Sequence, residues 1–171
     1  MGVRILSAKK FAVNLQHFKQ KFFKSLNGIF GKVGLKTSPS VLLSLIESYC
    51  ISSLLYCAET FLWSKSMISS YENAYTLAFA KIFKSFDKTV VGQCQYFMGQ
   101  LPVELKIINK QINFFASLDK SSNVLVKFLS KSNEDYLTVC NCYNLAASCC
   151  NVSKLYVKTG LWAFFAHKIG F

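Results

Sequence analysis

A chain of 171 residues, 52% hydrophobic, 15% aromatic and 16% charged, is long enough to bury a core and too apolar for disorder. Its net charge of +12 disfavours cationic partners and attracts nucleic acid or an anionic membrane surface. Seven cysteines, an odd number, exclude a fully paired disulfide framework and suit a reducing, intracellular setting, nuclear or cytoplasmic.

Gly2 to Leu6 (G-V-R-I-L) is β-branched at alternate positions and suits a terminal strand. Lys9 and Lys10 interrupt any apolar run, so no secretory signal is expected, and Leu6 stands where myristoylation requires Ser or Thr. A helix is predicted from about Phe11 to Val33, because Leu15, Phe18, Phe22, Leu26, Ile29 and Val33 recur at steps of three and four and share one face. Opposite that stripe fall His17, Lys21, Lys24 and Lys32, with Gly28 and Gly31, whose missing side chains leave room for a phosphate backbone. Residues 1–36 hold eight basic side chains (Arg4, Lys9, Lys10, Lys19, Lys21, Lys24, Lys32, Lys36) and no carboxylate. Solvated helix faces usually mix both signs for pair support, so a face of one sign argues for a polyanionic partner. A plain solvated lysine face is the competing account. Gly34 is placed to end the helix with a left-handed backbone.

Ser38 and Pro39 open the next helix as N-cap and first helical residue, and Val41, Leu42, Leu45, Ile46 and Tyr49 give it an apolar face. After a weak point at Ile51-Ser52-Ser53 the pattern resumes through Leu54, Leu55, Ala58 and Leu62 to Trp63. Val41 to Trp63 is the one candidate membrane span, but Glu47 and Glu59 would be expensive in hydrocarbon, and two buried helices are expected instead. Ser66 is expected to cap a third long helix carrying Met67, Ile68, Tyr71, Tyr75, Phe79, Ile82 and Phe83, with Lys81, Lys84 and Lys88 complementing the dipole at its end. A short helix over Val90–Met98, a turn at Gly99–Pro102 and a helix over Val103–Leu118 bearing Lys106 and Lys110 follow. Asp119–Asn123 reads as a linker, Val124–Leu129 as a helix, Ser130–Asp135 as a polar break, and Leu155–Phe171 as an aromatic, weakly basic end beyond a Cys-rich stretch. The fold class expected is mainly α, a helical bundle with a short N-terminal strand.

Sites for other chemistry are sparse. Cys140, Cys142, Cys149 and Cys150 stand in C-x-C and C-C spacings, with His167 far downstream, and do not form the C-x-x-C pairs of a zinc site. No metal site is therefore expected. His17 joins the cationic face, His167 has no Asp or Ser partner nearby in sequence, and no Gly-rich phosphate loop follows a strand.

The order of these elements resembles the region just after the catalytic palm of non-LTR (LINE-type) retrotransposon reverse transcriptases. In that family the palm ends in a strand of the form Y-L-G-hydrophobic-x-hydrophobic; here Met1-Gly2-Val3-Arg4-Ile5 matches, with Gly2 as the glycine. A helix like the one bearing Phe22-Phe23, Asn27 and Ile29-Phe30-Gly31-Lys32-Val33-Gly34 comes next, then a leucine-rich helix. Leu54-Leu55-Tyr56-Cys57-Ala58-Glu59 is similar to the family's L-L-Y-G-x-E, Cys57 replacing glycine and Ile51 to Ser53 standing where a proline is usual. Tyr71 to Phe83 looks like the family's long following helix, and Leu101-Pro102 with Lys110 to Phe115 like the element after it. The likeness covers about residues 1–118; residues 119–171 match nothing in that pattern and are treated as a C-terminal extension of unknown role.

The resemblance implies a polymerase thumb, a helical bundle that clamps the template-primer duplex, RNA/DNA or DNA, behind an active site. Such a grip acts on phosphates and sugars regardless of sequence. Lys21, Lys24, Lys32 and Lys36, Gly28 and Gly31, with Lys9 and Lys10, are the residues expected to supply it. Polymerisation requires palm aspartates holding two divalent ions about 4 Å apart. The chain's aspartates, Asp87, Asp119 and Asp135, are isolated, and Y-x-D-D does not occur. Hence no catalytic residue, no cofactor and no small-molecule substrate are expected of this chain; magnesium would belong to a palm. Met1 falls inside the family pattern, which suggests a fragment or truncated element copy, partnered by a palm supplied elsewhere. Two other readings stay open: a helical interaction or membrane-surface protein whose basic helix meets anionic lipid, and an element fragment with no retained function.

Overall fold

The computed structural model describes residues 3, 5–6, 12–34, 37–60, 63–126 and 154–170. The architecture is mainly α. A minimal antiparallel pair, β1 (Ile5–Leu6) and β2 (Ala12–Val13), sets Ile5 opposite Val13 and Leu6 opposite Ala12. The helices are α1 (Gln16–Val33), α2 (Pro39–Leu45), α3 (Ser52–Leu54), α4 (Lys65–Phe83), α5 (Lys88–Phe97), α6 (Val103–Asp119) and α7 (Lys154–Lys168). A π-helical turn, Ile46–Ile51, joins α2 to α3, and a 3₁₀ turn, Ala58–Thr60, follows. A further helical turn occupies residues 124–126.

The chain forms two compact units, one of Met1–Cys57 and Leu62–Cys94, the other of Ala58–Phe61 and Gln95–Phe171. In the first, α1 packs on α2, the π-turn, α3 and α4. Its expected stripe is the buried seam: Phe22 and Leu26 are 0% exposed and Phe18 1%, while Leu15 and Ile29 are half-buried and Val33, at the end, is exposed. They bury with Leu42, Ile46, Cys50 and Leu54, and with Tyr71, Tyr75, Ala78 and Phe79 of α4. Ring edges lock the seam, Trp63 on Tyr71 at 5.0 Å and Tyr75 on Phe79 at 4.9 Å between centroids. Burial holds both tyrosine hydroxyls protonated far above their ordinary range; at Tyr75 the carboxylates of Glu47 and Glu72 add to the effect. The Tyr71 hydroxyl donates to the Leu15 carbonyl at 3.2 Å, tying α4 to the start of α1.

In the second unit, Leu101, Leu105, Ile108 and Ile112 bury against Leu161 and Phe165 of α7. Tyr96 meets Trp162 and Phe165 edge-on at 5.8 and 5.9 Å. The aromatic end of the sequence, expected only as an extension, therefore contributes a core helix.

Several boundaries differ from expectation, each for a local reason. Helix α1 starts at Gln16 instead of Phe11 because Ala12–Val13 pair with β1, and the Asn14 side-chain oxygen accepts from Gln16 N at 3.1 Å. Ser64, not Ser66, caps α4, its hydroxyl accepting from Met67 N at 3.3 Å; the two serine hydroxyls share a 2.9 Å hydrogen bond. Ser38 precedes α2, with Pro39 first in the helix, but its hydroxyl pairs with that of Ser40 and makes no cap. Helix α5 begins at Lys88, two residues early, because Asp87 accepts from Thr89 N at 2.8 Å. Lys88 thus opens α5 and does not close α4. Gly34 ends α1 as its sequence suggests, with φ +74° and its N–H on the Phe30 carbonyl at 3.0 Å, but its ψ of 168° is extended and not that of the expected left-handed helical cap.

Candidate nucleic-acid interface

Burying Phe18, Phe22 and Leu26 fixes the rotation of α1 and therefore what it shows to solvent. Lys24, Gly28, Gly31 and Lys32 are exposed and Lys21 half-buried, so the expected cationic sector is brought together on one helix. Among the described residues, none of Lys21, Lys24 and Lys32 has a carboxylate partner. A Cβ added at Gly28 or Gly31 would meet nothing within 4 Å, so the backbone there is open to solvent and no packing demand accounts for glycine. Lys32 lies in the last turn, where it also complements the helix dipole. His17, also placed in this sector, is half-buried, its ring centroid 6.0 Å from that of Phe18. Lys9, Lys10 and Lys36 lie outside the described residues.

The other basic side chains have different surroundings. Lys19 donates to the Ser70 hydroxyl at 2.8 Å and lines an open cleft of about 360 Å³ with Asn14, Gln16, Met67 and Tyr71, away from the sector. Lys81, in the last turn of α4, reaches back to α1: its ammonium donates to Asn27 Oδ1 at 3.4 Å and lies 5.7 Å from the centre of the Phe30 ring. Nothing in the sequence pattern could find this contact, since Lys81 and Asn27 are 54 residues apart. Lys84 takes a left-handed backbone, φ +54°, just past α4. In the second unit Lys110 lies 3.6 Å from Glu59, Lys168 3.3 Å from Glu104, and Lys106 donates to Gln100 at 3.1 Å.

Among the described residues the remaining candidates hold no chemistry together. Cys50 is a buried thiol, pushed up to about 11 by burial, which suppresses the nucleophilic thiolate. Among the described residues no group of three His, Cys, Asp or Glu side chains could hold a metal ion. Cys140, Cys142, Cys149 and Cys150 lie outside the described residues, and His167 is an exposed residue in the last turn of α7. The stretch Pro39–Thr60 is long and apolar enough to cross a membrane by length and composition, with a mean hydropathy of 1.6, and 50% of that window is buried inside the fold.

No protein-family model, no curated protein and no solved structure matches this chain.

Proposed function

We propose that this chain is the thumb-like part of a LINE-type reverse transcriptase, an RNA-directed DNA polymerase, gripping template-primer duplex without catalysing polymerisation itself. The observation that carries the reading is the sector of α1 formed by Lys21, Lys24 and Lys32 around Gly28 and Gly31, with no acid among the described residues paired to its lysines. Lysines on a stiff helix displace condensed counterions from phosphates, which gives affinity independent of base sequence. The buried apolar seam keeps that row from rotating. The chemistry of nucleotide addition, with its magnesium, is assigned to a palm on another part of the enzyme, and the setting to the reducing interior of the cell.

One backbone detail supports the family likeness. Cys57 stands where the L-L-Y-G-x-E motif has glycine, and its φ is +55°, a conformation that costs a side-chain-bearing residue about 1–2 kcal/mol and glycine nothing. The motif's glycine thus has a physical reason at this position. Leu54, Leu55 and Ala58 of the same motif are buried, and Glu59 ion-pairs with Lys110.

A membrane-surface role would need α1 to turn its apolar face to lipid. Phe22 and Leu26 are 0% exposed, so insertion would have to open the core of the first unit. The deciding experiment titrates the purified chain with labelled RNA/DNA primer-template duplex across a salt series, beside a Lys21→Glu, Lys24→Glu, Lys32→Glu variant. Affinity that falls steeply with salt, and a slope flattened by about 0.9 per lost phosphate contact in the folded variant, are expected. A folded wild-type chain that ignores the duplex and binds anionic vesicles would replace this reading with the membrane-surface one. Nucleotide incorporation by the chain alone would overturn its non-catalytic part.

A further inference from the structure

We propose that Lys81 and Asn27 belong, with Lys24 and Lys32, to one phosphate-contacting surface supplied by two helices, α1 and α4. The inference deepens the duplex-grip reading and rests on it.

Lys81 is exposed, yet it is held in place. Its ammonium donates to Asn27 Oδ1 at 3.4 Å and sits 5.7 Å from the Phe30 ring centre. Both holders are neutral. A carboxylate in their place would cancel the charge, as Glu104 does for Lys168 at 3.3 Å, whereas an amide oxygen and a ring face orient the ammonium and leave the charge to act outward. Compensation of the α4 dipole accounts for a lysine in the last turn of that helix. It does not account for the lysine leaning onto α1.

The contact also sets the direction of Asn27. An ammonium only donates, so Asn27 must turn its oxygen to Lys81 and its NH₂ group away, where two further donors face solvent. Asn27 is exposed and lies one helical turn from both Lys24 and Gly31, on the side of α1 facing α4. Lys81 therefore stands level with the bare backbone at Gly28 and Gly31, across Asn27 from the Lys24–Lys32 row. At a rise of about 1.5 Å per residue, Lys24 to Lys32 spans roughly 12 Å. Successive phosphates on one duplex strand advance about 3.4 Å along its axis, so the row covers several of them. A single row of cations touches such a backbone along one line. With Lys81 on the far side and the Asn27 amide between, the backbone is met from two sides, which resists rolling and sets its direction across the two helices.

The test uses the full chain and the same labelled RNA/DNA duplex over a salt series. Lys81→Gln removes the charge, Asn27→Asp removes the outward donors and pairs Lys81 with a carboxylate, and Lys81→Arg keeps the charge. Lys65→Gln, at the opposite end of α4, is the control. The first two variants should each lower the log–log salt slope by about 0.7–0.9 and weaken binding several-fold. Lys81→Arg and Lys65→Gln should keep the wild-type slope. Circular dichroism establishes that each chain is folded; Lys81 and Asn27 are both exposed, and Asn27→Asp answers the question even if Lys81→Gln unfolds. Wild-type slopes in folded Lys81→Gln and Asn27→Asp chains, alongside a flattened Lys21/Lys24/Lys32 variant, would overturn this proposal and leave the α1 grip standing. A wild-type chain with no salt-dependent binding would remove both.

Discussion

Three lysines of the second unit and five of the first sit in different surroundings, although Lys120 and Lys158 of the second unit are exposed without an ion pair among the described residues. In the second unit Lys110 and Lys168 lie against Glu59 and Glu104, and Lys106 donates to Gln100, so each is tied to a neighbour on its own unit. In the first, Lys21, Lys24 and Lys32 have no carboxylate among the described residues, Lys19 is bonded to a hydroxyl, and Lys81 to an amide. Lysine composition alone therefore does not separate compensated cations from uncompensated ones, whereas local acid content does. A cation beside a carboxylate is already compensated, while a row without one repels itself and is most favourably completed by an anion from outside.

The strongest way to break this contrast is to remove its foundation. Phe22→Ala, at a fully buried seam position, should cost about 3–5 kcal/mol by chemical denaturation and abolish duplex binding along with the fold of the first unit. Retained binding in the unfolded chain would show that charge alone, without helical arrangement, is enough. A sharper comparison neutralises lysines unit by unit. Lys110→Gln with Lys168→Gln should cost less than about 1 kcal/mol per pair and leave the salt slope intact, whereas Lys21, Lys24 and Lys32 reversal should flatten the slope with little loss of stability. Equal effects on binding from the two sets would reduce the interface to net charge. Smaller still is Cys57→Gly, which should raise stability by about 0.5 kcal/mol, the relief of a left-handed cysteine less the added freedom of glycine in the unfolded chain. A loss of stability in that variant would mean that the Cys57 side chain contributes more than its backbone strain costs. Last comes Gly28→Ala. With no neighbour within 4 Å of the added methyl, it should stabilise α1 by about 0.5–1 kcal/mol in melting experiments and yet weaken duplex binding. Unchanged affinity would remove close backbone approach from the mechanism.

What could be read from the sequence was whatever a single helix decides for itself. The α1 stripe, the glycine that ends it, Pro39 at the start of α2 and the turn at Gly99 follow from periodicity and backbone preference over a few residues. Choices between two locally equivalent signals were not legible. Ser64 and Ser66 both satisfy the grammar of a cap, and α4 starts at the first of them, immediately after Trp63, whose ring packs on Tyr71. The Asp87 cap was legible in principle, being an acid just before a helical run, and moving the start of α5 to it takes Lys88 from the end of one helix to the beginning of another. The cationic sector of α1 follows from the same 3.6-residue arithmetic as its seam. Lys81 does not, because its direction depends on how α4 packs on α1. The boundary near residue 118 marks the reach of a sequence likeness, whereas the compact units follow contacts, which place α6 with α7.

The π-helical turn at Ile46–Ile51 has a meaning in terms of codons. Such a turn is what an α-helix becomes when one extra residue is taken in without rotating the halves on either side. Losing one residue there, for instance the 64% exposed Tyr49, would let α2 and α3 run on as one regular helix with both buried faces kept. The same loss inside α1 or α4 would turn every later side chain by about 100° and take the seam apart. A melting series of single-residue deletions should therefore find its mildest member in this turn. If it does, the segment is the one place in the first unit's core helices where the reading frame of the fold tolerates a change in length.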